Sequence, residues 1–138
     1  MSEIINIKDN PSYIDDRGRI SMVLESCQIG SVSIINSEPQ KTRANHFHKT
    51  DNHVILILEG QIEMYERDIN KLDQKPIKYI LNKGDIYKTE NLVQHTMFFP
   101  CYTSFLCLSK LPRDTKNYEN DTIRFNYSLK DIFGDHFP

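Results

Sequence analysis

Three of the chain's five histidines lie within the eleven residues RANHFHKTDNH, at positions 43–53. Alternate residues of a β-strand point to the same face, so a strand here places the imidazoles of His46 and His48 side by side. A short turn over residues 49–52 then lets an antiparallel neighbour that begins at His53 bring a third imidazole beside His48. Imidazole nitrogens bind divalent metals at about 2.0–2.1 Å, so this pattern predicts a metal site. The alternative is a metal-free pocket in which the histidines do acid–base chemistry.

Short β-strands are the elements that must position these histidines. Strand patterns cover residues 31–36, two strands within 53–66 about a turn at Glu59 and Gly60, a second such pair within 76–89, and residues 95–99 and 103–109. Turn residues recur at intervals of about 8–12 positions, which is typical of an all-β sandwich or barrel. His95 opens one of these strands. The clearest helical signal is a single turn over residues 128–133, and residues 111–138 either wrap the barrel or pack on a second subunit.

Size and charge indicate one domain, residues 1–138, that acts on something small. A length of 138 residues has room for one domain, and a formal net charge of −2 gives no reason to expect nucleic acid or a membrane surface as partner. No stretch resembles a secretory signal or a membrane span. Three scattered cysteines, each expected to be a small buried hydrophobe, give no disulfide framework and favour a reducing, cytoplasmic location.

Two stretches resemble the paired motifs of the cupin superfamily. HFHKTDNHVILILEG resembles the first motif, an H-x-H followed by a glutamate and a glycine, and it falls within about residues 43–60. GDIYKTENLVQH resembles the second motif, within about residues 84–99, although Glu90 and Leu92 replace its usual proline and glycine. The resemblance implies an all-β double-stranded β-helix, the cupin jelly-roll barrel, with little helix.

The cupin resemblance also implies a set of metal ligands: His46, His48, His53 and His95. In this set His53 stands where cupins commonly have glutamate, so the first coordination sphere loses a negative charge. A site made only of histidines suits Fe, Zn, Ni, Cu or Mn better than magnesium or calcium.

A narrower resemblance concerns small bacterial cupins that act on nucleotide-linked deoxysugars. DDRGRI, followed by RANHFHK, resembles the D-x-R-G … R-G-x-H-x-H-K pattern of 3,5-epimerases and 3,4-ketoisomerases of surface-polysaccharide pathways. Two features differ: Ala44 replaces the glycine after Arg43, and those enzymes generally work without metal. The resemblance implies an isomerase or epimerase and a homodimer. A homodimer is also expected because the open edges of a β-sandwich must be covered.

Both sugar reactions begin when a base removes a proton from the carbon next to a keto group and an enolate forms. His46 or His48 is the candidate base if no metal occupies them; a bound metal would instead polarise the carbonyl, and another residue would be the base. Tyr65 and Tyr87 lie on predicted strands and are candidate proton donors, with aromatic packing as the alternative.

Four basic residues are candidates for binding a phosphate or a sugar oxygen: Arg43, Lys49, Arg17 and Arg19. The planar guanidinium of Arg43 suits such oxygens. On a regular strand, however, Arg43 shares a face with Asn45 and not with His46, unless the strand bulges. The alternative for Arg17 and Arg19 is that their side chains contact only solvent, as is common for arginines in a turn such as DDRGR.

Three function classes remain open at this stage. The favoured one is an isomerase or epimerase acting on a nucleotide-activated keto sugar. A metal-dependent cupin dioxygenase and a non-enzymatic small-molecule-binding or sensor cupin are the alternatives, since one fold hosts many functions. Ligand identity separates the first class from the others, and oxygen consumption with iron identifies the second.

Overall fold

The computed structural model describes residues 3–125 and Lys130, and almost all of its regular structure is β-strand. The described part holds a short 3₁₀ helix, Ile7–Asp9, and the helix α1, Thr115–Asp121. The strands are β1 Glu3–Asn6, β2 Pro11–Asp15, β3 Gly18–Ser21, β4 Ser31–Ser37, β5 Lys41–His48, β6 His53–Glu59, β7 Gln61–Asp68, β8 Ile77–Asn82, β9 Asp85–Thr89, β10 Val93–Phe99, β11 Thr103–Ser109 and β12 Thr122–Arg124. The helical turn predicted over residues 128–133 falls, apart from Lys130, outside the described residues.

Two antiparallel five-stranded sheets form the barrel. The first sheet has the strand order β1-β9-β6-β11-β4, and the second has the order β12-β5-β10-β7-β8. The predicted strand pairs within residues 53–66 and 76–89 exist, with turns at Gly60 and Gly84, but neither pair is a hairpin. β6 and β9 belong to the first sheet, whereas β7 and β8 belong to the second. Each turn therefore carries the chain from one sheet to the other, as a jelly roll requires.

The core lies between the inner faces of these sheets. Ile55, Ile57, Phe105 and their neighbours from the first sheet meet Ile62, Met64 and others from the second. Alternate residues of each strand contribute to this core, which is the period-two pattern of a strand with one buried face. At one end of the same interior the apolar side chains give way to histidines, and these form the candidate site.

The C-terminal segment wraps the barrel as far as the structure describes it. α1 leads directly into β12, which pairs with β5 and extends the second sheet. By contrast, β2 and β3 form a separate two-stranded sheet. Cys107 is buried, but Cys27 and Cys101 are exposed, so the expectation of buried cysteines is wrong for these two. Over the part of the chain that the structure describes, no helix is long and apolar enough to cross a membrane.

Candidate active site

Three histidines of the second sheet meet on the inner face of the barrel. His46 and His48 alternate along β5, and His95 lies directly opposite His46 on β10. The His46 ring centroid is 4.7 Å from that of His48 and 4.7 Å from that of His95. These three imidazoles offer nitrogens within 4.8 Å of one another, and all three residues are buried. The convergence predicted from the H-x-H spacing is therefore present, together with the contribution of the distant His95.

His53 joins the group from the opposite sheet. Its ring centroid is 4.3 Å from that of His48, but β6 pairs with β9 and β11 and not with β5. The sequence prediction of a neighbouring antiparallel strand is thus wrong, although the predicted proximity is correct. His53 Nε2 lies 2.9 Å from Asp51 Oδ2, and its Nδ1 faces Cys107 Sγ at 3.9 Å. His53 lies outside the nitrogen cluster of the other three, but it forms a second group of possible metal ligands with His48 and Asp51, whose ligand atoms lie within 4.8 Å of one another.

Burial makes the three clustered histidines neutral. It is the largest cause that lowers the pKa of His46 to about 2, that of His95 to about 3 and that of His48 to about 4. The neighbouring imidazoles lower these values further, because each positive charge would disfavour the next. At neutral pH these rings therefore carry lone pairs that can accept a proton or bind a cation.

His53 has the opposite electrostatic character. Burial is the largest single influence and would lower its pKa, but the contacts with Asp51 and Cys107 together outweigh burial and raise the pKa to about 9. The same contact holds the pKa of Asp51 below its usual value despite burial. The pKa of the Cys107 thiol is also lowered, because His53, Ser109 and Arg113 together more than offset the effect of burial. The interior therefore combines three neutral imidazoles with one imidazolium.

The nitrogens of His48 and His95 that face the cluster fit a divalent transition metal. His95 Nδ1 lies 3.2 Å from the carbonyl oxygen of Val93, which can only accept, so the ring keeps its lone pair on Nε2. His48 Nε2 is buried and has no hydrogen-bond partner among the residues the structure describes. An enclosed nitrogen of this kind is costly unless a proton or a cation binds there.

A cavity of about 120 Å³ opens against this cluster. His46, His53 and His95 form part of its wall, and Arg43, Arg113 and Tyr118 also line it. His48 is only 2% exposed and does not line the cavity. A substrate in this cavity would thus meet His46, His95 and His53 directly.

A bulge in β5 places Arg43 at the cavity. Ala44 and Asn45 both have left-handed backbone conformations, with φ of 73° and 60°, and the pairing with β10 shifts by one residue there. The extra residue in the bulge brings Arg43 to the same face of the strand as His46, which regular alternation would not do. Arg43 donates hydrogen bonds to Ser37 Oγ at 2.6 Å and to the carbonyl oxygen of Asn36 at 3.0 Å.

The other predicted basic residues do not reach the cavity. Arg17 is paired with Asp15 in the turn between β2 and β3, and Arg19 donates to the carbonyl oxygen of Lys8. The side chain of Lys49 is exposed and does not line the cavity. Arg17 is held within its own turn and Arg19 is held by the preceding 3₁₀ helix, so neither reaches the cavity within one chain.

The two predicted proton donors occupy different places. Tyr65 alternates with the core residue Met64, so it lies on the outer face of β7, where Lys78 Nζ is 5.5 Å from its ring centroid. Tyr87 points into the core and donates a hydrogen bond to Glu66. Neither tyrosine lines the histidine cavity, so the structure does not support either as its proton donor.

Several residues at the site are absent from the sequence predictions. Asp51 binds His53, while Arg113 stacks on Tyr118 with its guanidinium carbon 4.9 Å from the ring centroid. The Asp121 carboxylate accepts hydrogen bonds from the backbone of Thr50 and Asp51. The available signal for Asp51 was its spacing: a carboxylate two residues before a strand histidine.

The two-sheet barrel has the cupin jelly-roll fold, with a histidine cluster in its interior. Residues 13–99 match the family model described as the polysaccharide biosynthesis C-terminal domain, and the chain belongs to this family. No curated protein matches the chain.

Solved structures with a similar fold include several sugar ketoisomerases. A 3,4-ketoisomerase from Helicobacter canadensis superposes with a TM-score of 0.70 and 21% identity over 96% of this chain and 94% of that chain. WlaRB, a TDP-quinovose 3,4-ketoisomerase from Campylobacter jejuni, gives 0.69 and 20% over 96% of each chain. A histidine-to-asparagine mutant of the 3,4-ketoisomerase QdtA from Thermoanaerobacterium thermosaccharolyticum, in complex with TDP-4-keto-6-deoxyglucose, gives 0.66 and 21% over 97% and 91%.

Proposed function

We propose that this protein is an isomerase that acts on a nucleotide-activated keto-deoxysugar in surface-polysaccharide biosynthesis, as a 3,4-ketoisomerase or a related epimerase. The observation that carries the proposal is the cluster of neutral, buried histidines at the wall of a cavity. Family membership and the ketoisomerase neighbours, which extend over nearly the whole chain, support the substrate class. The three unpaired cysteines support a cytoplasmic location.

The proposed reaction moves protons without changing the composition of the sugar. A base takes the proton from the carbon next to the carbonyl, and the electron pair of that C–H bond forms an enolate. In a ketoisomerisation, the enolate oxygen takes up a proton and becomes a hydroxyl, while the neighbouring hydroxyl loses its own proton and becomes the new keto oxygen. A proton is added to the former carbonyl carbon, so that the keto group moves by one position. An epimerisation instead returns the proton to the original carbon from the other face.

His46 is the proposed base in the metal-free protein, because it is neutral and lines the cavity. His48 is a poorer candidate since it is buried and does not line the cavity. The protonated His53 faces the same cavity from the opposite sheet, so it is placed to stabilise the negative charge of the enolate oxygen. Arg43 and Arg113 supply positive charge at the cavity wall for the phosphates or sugar oxygens.

His46, His48 and His95 would also hold a divalent transition metal, with Fe, Zn, Ni, Cu or Mn as the candidates. Such a metal would supply a Lewis acid that polarises the substrate carbonyl. In that state His46 is a ligand, and His53 is the remaining histidine at the cavity that can move a proton. Elemental analysis of untagged protein beside a His48→Ala variant tests this: about one metal per chain, lost in the variant, supports the ligand set. A metal-free protein after incubation with iron, zinc and nickel contradicts it.

A homodimer is proposed from the outer face of the first sheet. Aliphatic side chains on that face alternate with the core residues of the same strands, and several are well exposed: Val32 59%, Ile34 64% and Leu58 39%. A continuous apolar sheet face of this kind is typical of an interface. Light scattering should give a dimer for the native protein and a monomer for Ile34→Arg, with Ile80→Arg on the other sheet as control. A monomeric native protein contradicts the proposal.

The function is tested with TDP-4-keto-6-deoxyglucose as the substrate. We expect NMR to show conversion to the 3-keto isomer or to an epimer, and a His46→Asn variant to lose most of this activity. A native protein that leaves the compound unchanged, while a solved relative converts it in the same buffer, contradicts this substrate assignment.

A further inference from the structure

His48 Nδ1 faces the first residue of the C-terminal strand. β12 pairs with β5 so that Thr122 lies directly opposite His48, and Thr122 Oγ1 is 3.4 Å from His48 Nδ1. Both residues are buried, at 5% and 2% exposure, so water does not compete for this contact. The chain that forms this pair is separated from His48 by more than seventy residues, and the H-x-H motif gives no hint of it.

The direction of this hydrogen bond follows from the other contacts of the hydroxyl. Thr122 Oγ1 lies 2.6 Å from the carbonyl oxygen of Tyr118, which can only accept. A threonine hydroxyl has one hydrogen, so its oxygen is left as an acceptor toward His48. The nearest Asp121 carboxylate oxygen, 3.6 Å from the same nitrogen, is an acceptor as well. Neutral His48 therefore carries its hydrogen on Nδ1 and its lone pair on the buried Nε2.

We propose that Thr122 is a positioning residue that holds His48 in the Nδ1–H tautomer, so that the Nε2 lone pair is available to the three-histidine cluster. The inference deepens the proposed function, because it explains how the C-terminal segment prepares the site to bind a cation or a proton. In the other tautomer His48 would present an N–H group to the cluster and could not act as a ligand there.

The segment that carries Thr122 is firmly attached to the turn after β5. Asp121 accepts hydrogen bonds from the backbone N–H groups of Thr50 and Asp51, at 2.9 and 3.0 Å, and from the Thr50 hydroxyl at 2.7 Å. Lys49 N–H donates to the Asp121 carbonyl oxygen at 2.9 Å. These contacts fix the position of the Thr122 hydroxyl relative to the histidine that it orients.

The test is the tautomer of His48 in metal-free protein. Long-range ¹H–¹⁵N correlation spectra of histidine-labelled protein at pH 7.5 should show Nδ1–H for His48 in the native protein and in Thr122→Ser. Thr122→Val keeps the size of the side chain but removes the nearer of the two acceptors and leaves only the Asp121 carboxylate at 3.6 Å, so in this variant the Nε2–H form should appear. The Nε2–H form in the native protein, or an unchanged tautomer in Thr122→Val, overturns the proposal.

A second readout follows the consequence for metal binding. Zinc affinity, measured by competition with a chromophoric chelator, should fall about tenfold in Thr122→Val and be largely retained in Thr122→Ser. Equal zinc affinity in all three proteins contradicts a positioning role. If the native protein binds no zinc, the metal part of the proposed function fails, while the tautomer spectra still decide the role of Thr122. Circular dichroism checks that each variant is folded.

Discussion

Removing the Asp51 carboxylate should convert His53 from a cation into a neutral ring. In the native protein the hydrogen bond from His53 Nε2 to Asp51 Oδ2 is 2.9 Å long, and together with the contact to Cys107 it raises the pKa of His53 to about 9 despite burial. Because tenfold in proton affinity corresponds to about 1.4 kcal/mol, a change from the ordinary 6.5 represents about 3 kcal/mol of preference for the proton. Asp51→Asn removes the strongest contact that raises the pKa of His53 while burial and Cys107 remain, so we expect this pKa to fall well below 9.

NMR titration of the His53 ring between pH 5 and pH 10, in chelator-treated protein, measures this change directly. Asp73→Asn, at an exposed carboxylate, is the control and should leave His53 unchanged. The reasoning is refuted if native His53 titrates near 6.5, or if Asp51→Asn leaves its titration at high pH.

Stability should follow the same proton. The folded protein binds it more tightly than the unfolded chain, so the stabilisation is complete below pH 6.5 and is lost as the pH rises through 9. Cys107 has a lowered pKa and contributes with the opposite sign, so urea unfolding is measured in a Cys107→Ser background. From pH 6.5 to 9.5 we expect a loss of up to about 3 kcal/mol, and almost none when Asp51→Asn is added.

Three further predictions concern the turn between the sheets, the cavity wall and the reaction class. Gly60→Ala should lower the free energy of unfolding by about 3 kcal/mol, because the φ of Gly60 is +87° and a Cβ would lie 2.3 Å from a backbone oxygen. Urea unfolding measures this loss. The control Gly18→Ala should show a smaller loss, because a Cβ there meets open space. Arg43→Ala should raise KM for the nucleotide sugar about tenfold, with Arg19→Ala close to the native value in the same kinetic assay. An oxygen electrode should record no uptake with Fe(II) and substrate, whereas steady uptake favours the dioxygenase class.

The histidine cluster was predictable because its spacing carries the information. Alternation along one strand brings His46 and His48 to one face, and a second motif supplies His95. The proximity of His53 to His48 was predicted correctly, but from a pairing of β6 with β5 that does not exist. A hydrophobic pattern specifies that β6 and β7 are strands, but a turn at Gly60 is equally compatible with a hairpin and with a crossing between sheets.

The partners of the histidines were less predictable because they depend on tertiary contacts. Arg43 reaches the cavity only through the bulge at Ala44 and Asn45, and neither residue type demands a left-handed conformation. Thr122 lies in a polar segment without a clear period, and only the pairing of β12 with β5 brings it to His48.

Hydrogen–deuterium exchange on the substrate tests the central claim of proton abstraction next to a carbonyl most directly. TDP-4-keto-6-deoxyglucose is incubated with the native protein in D₂O and followed by NMR, beside His46→Asn. The account predicts deuterium at the carbon next to the keto group with the native protein and little with the variant, whether His46 acts as the base or as a metal ligand. Absence of deuterium with a folded, native protein that binds the compound would contradict it, since neither a ketoisomerase nor an epimerase can act without that proton transfer.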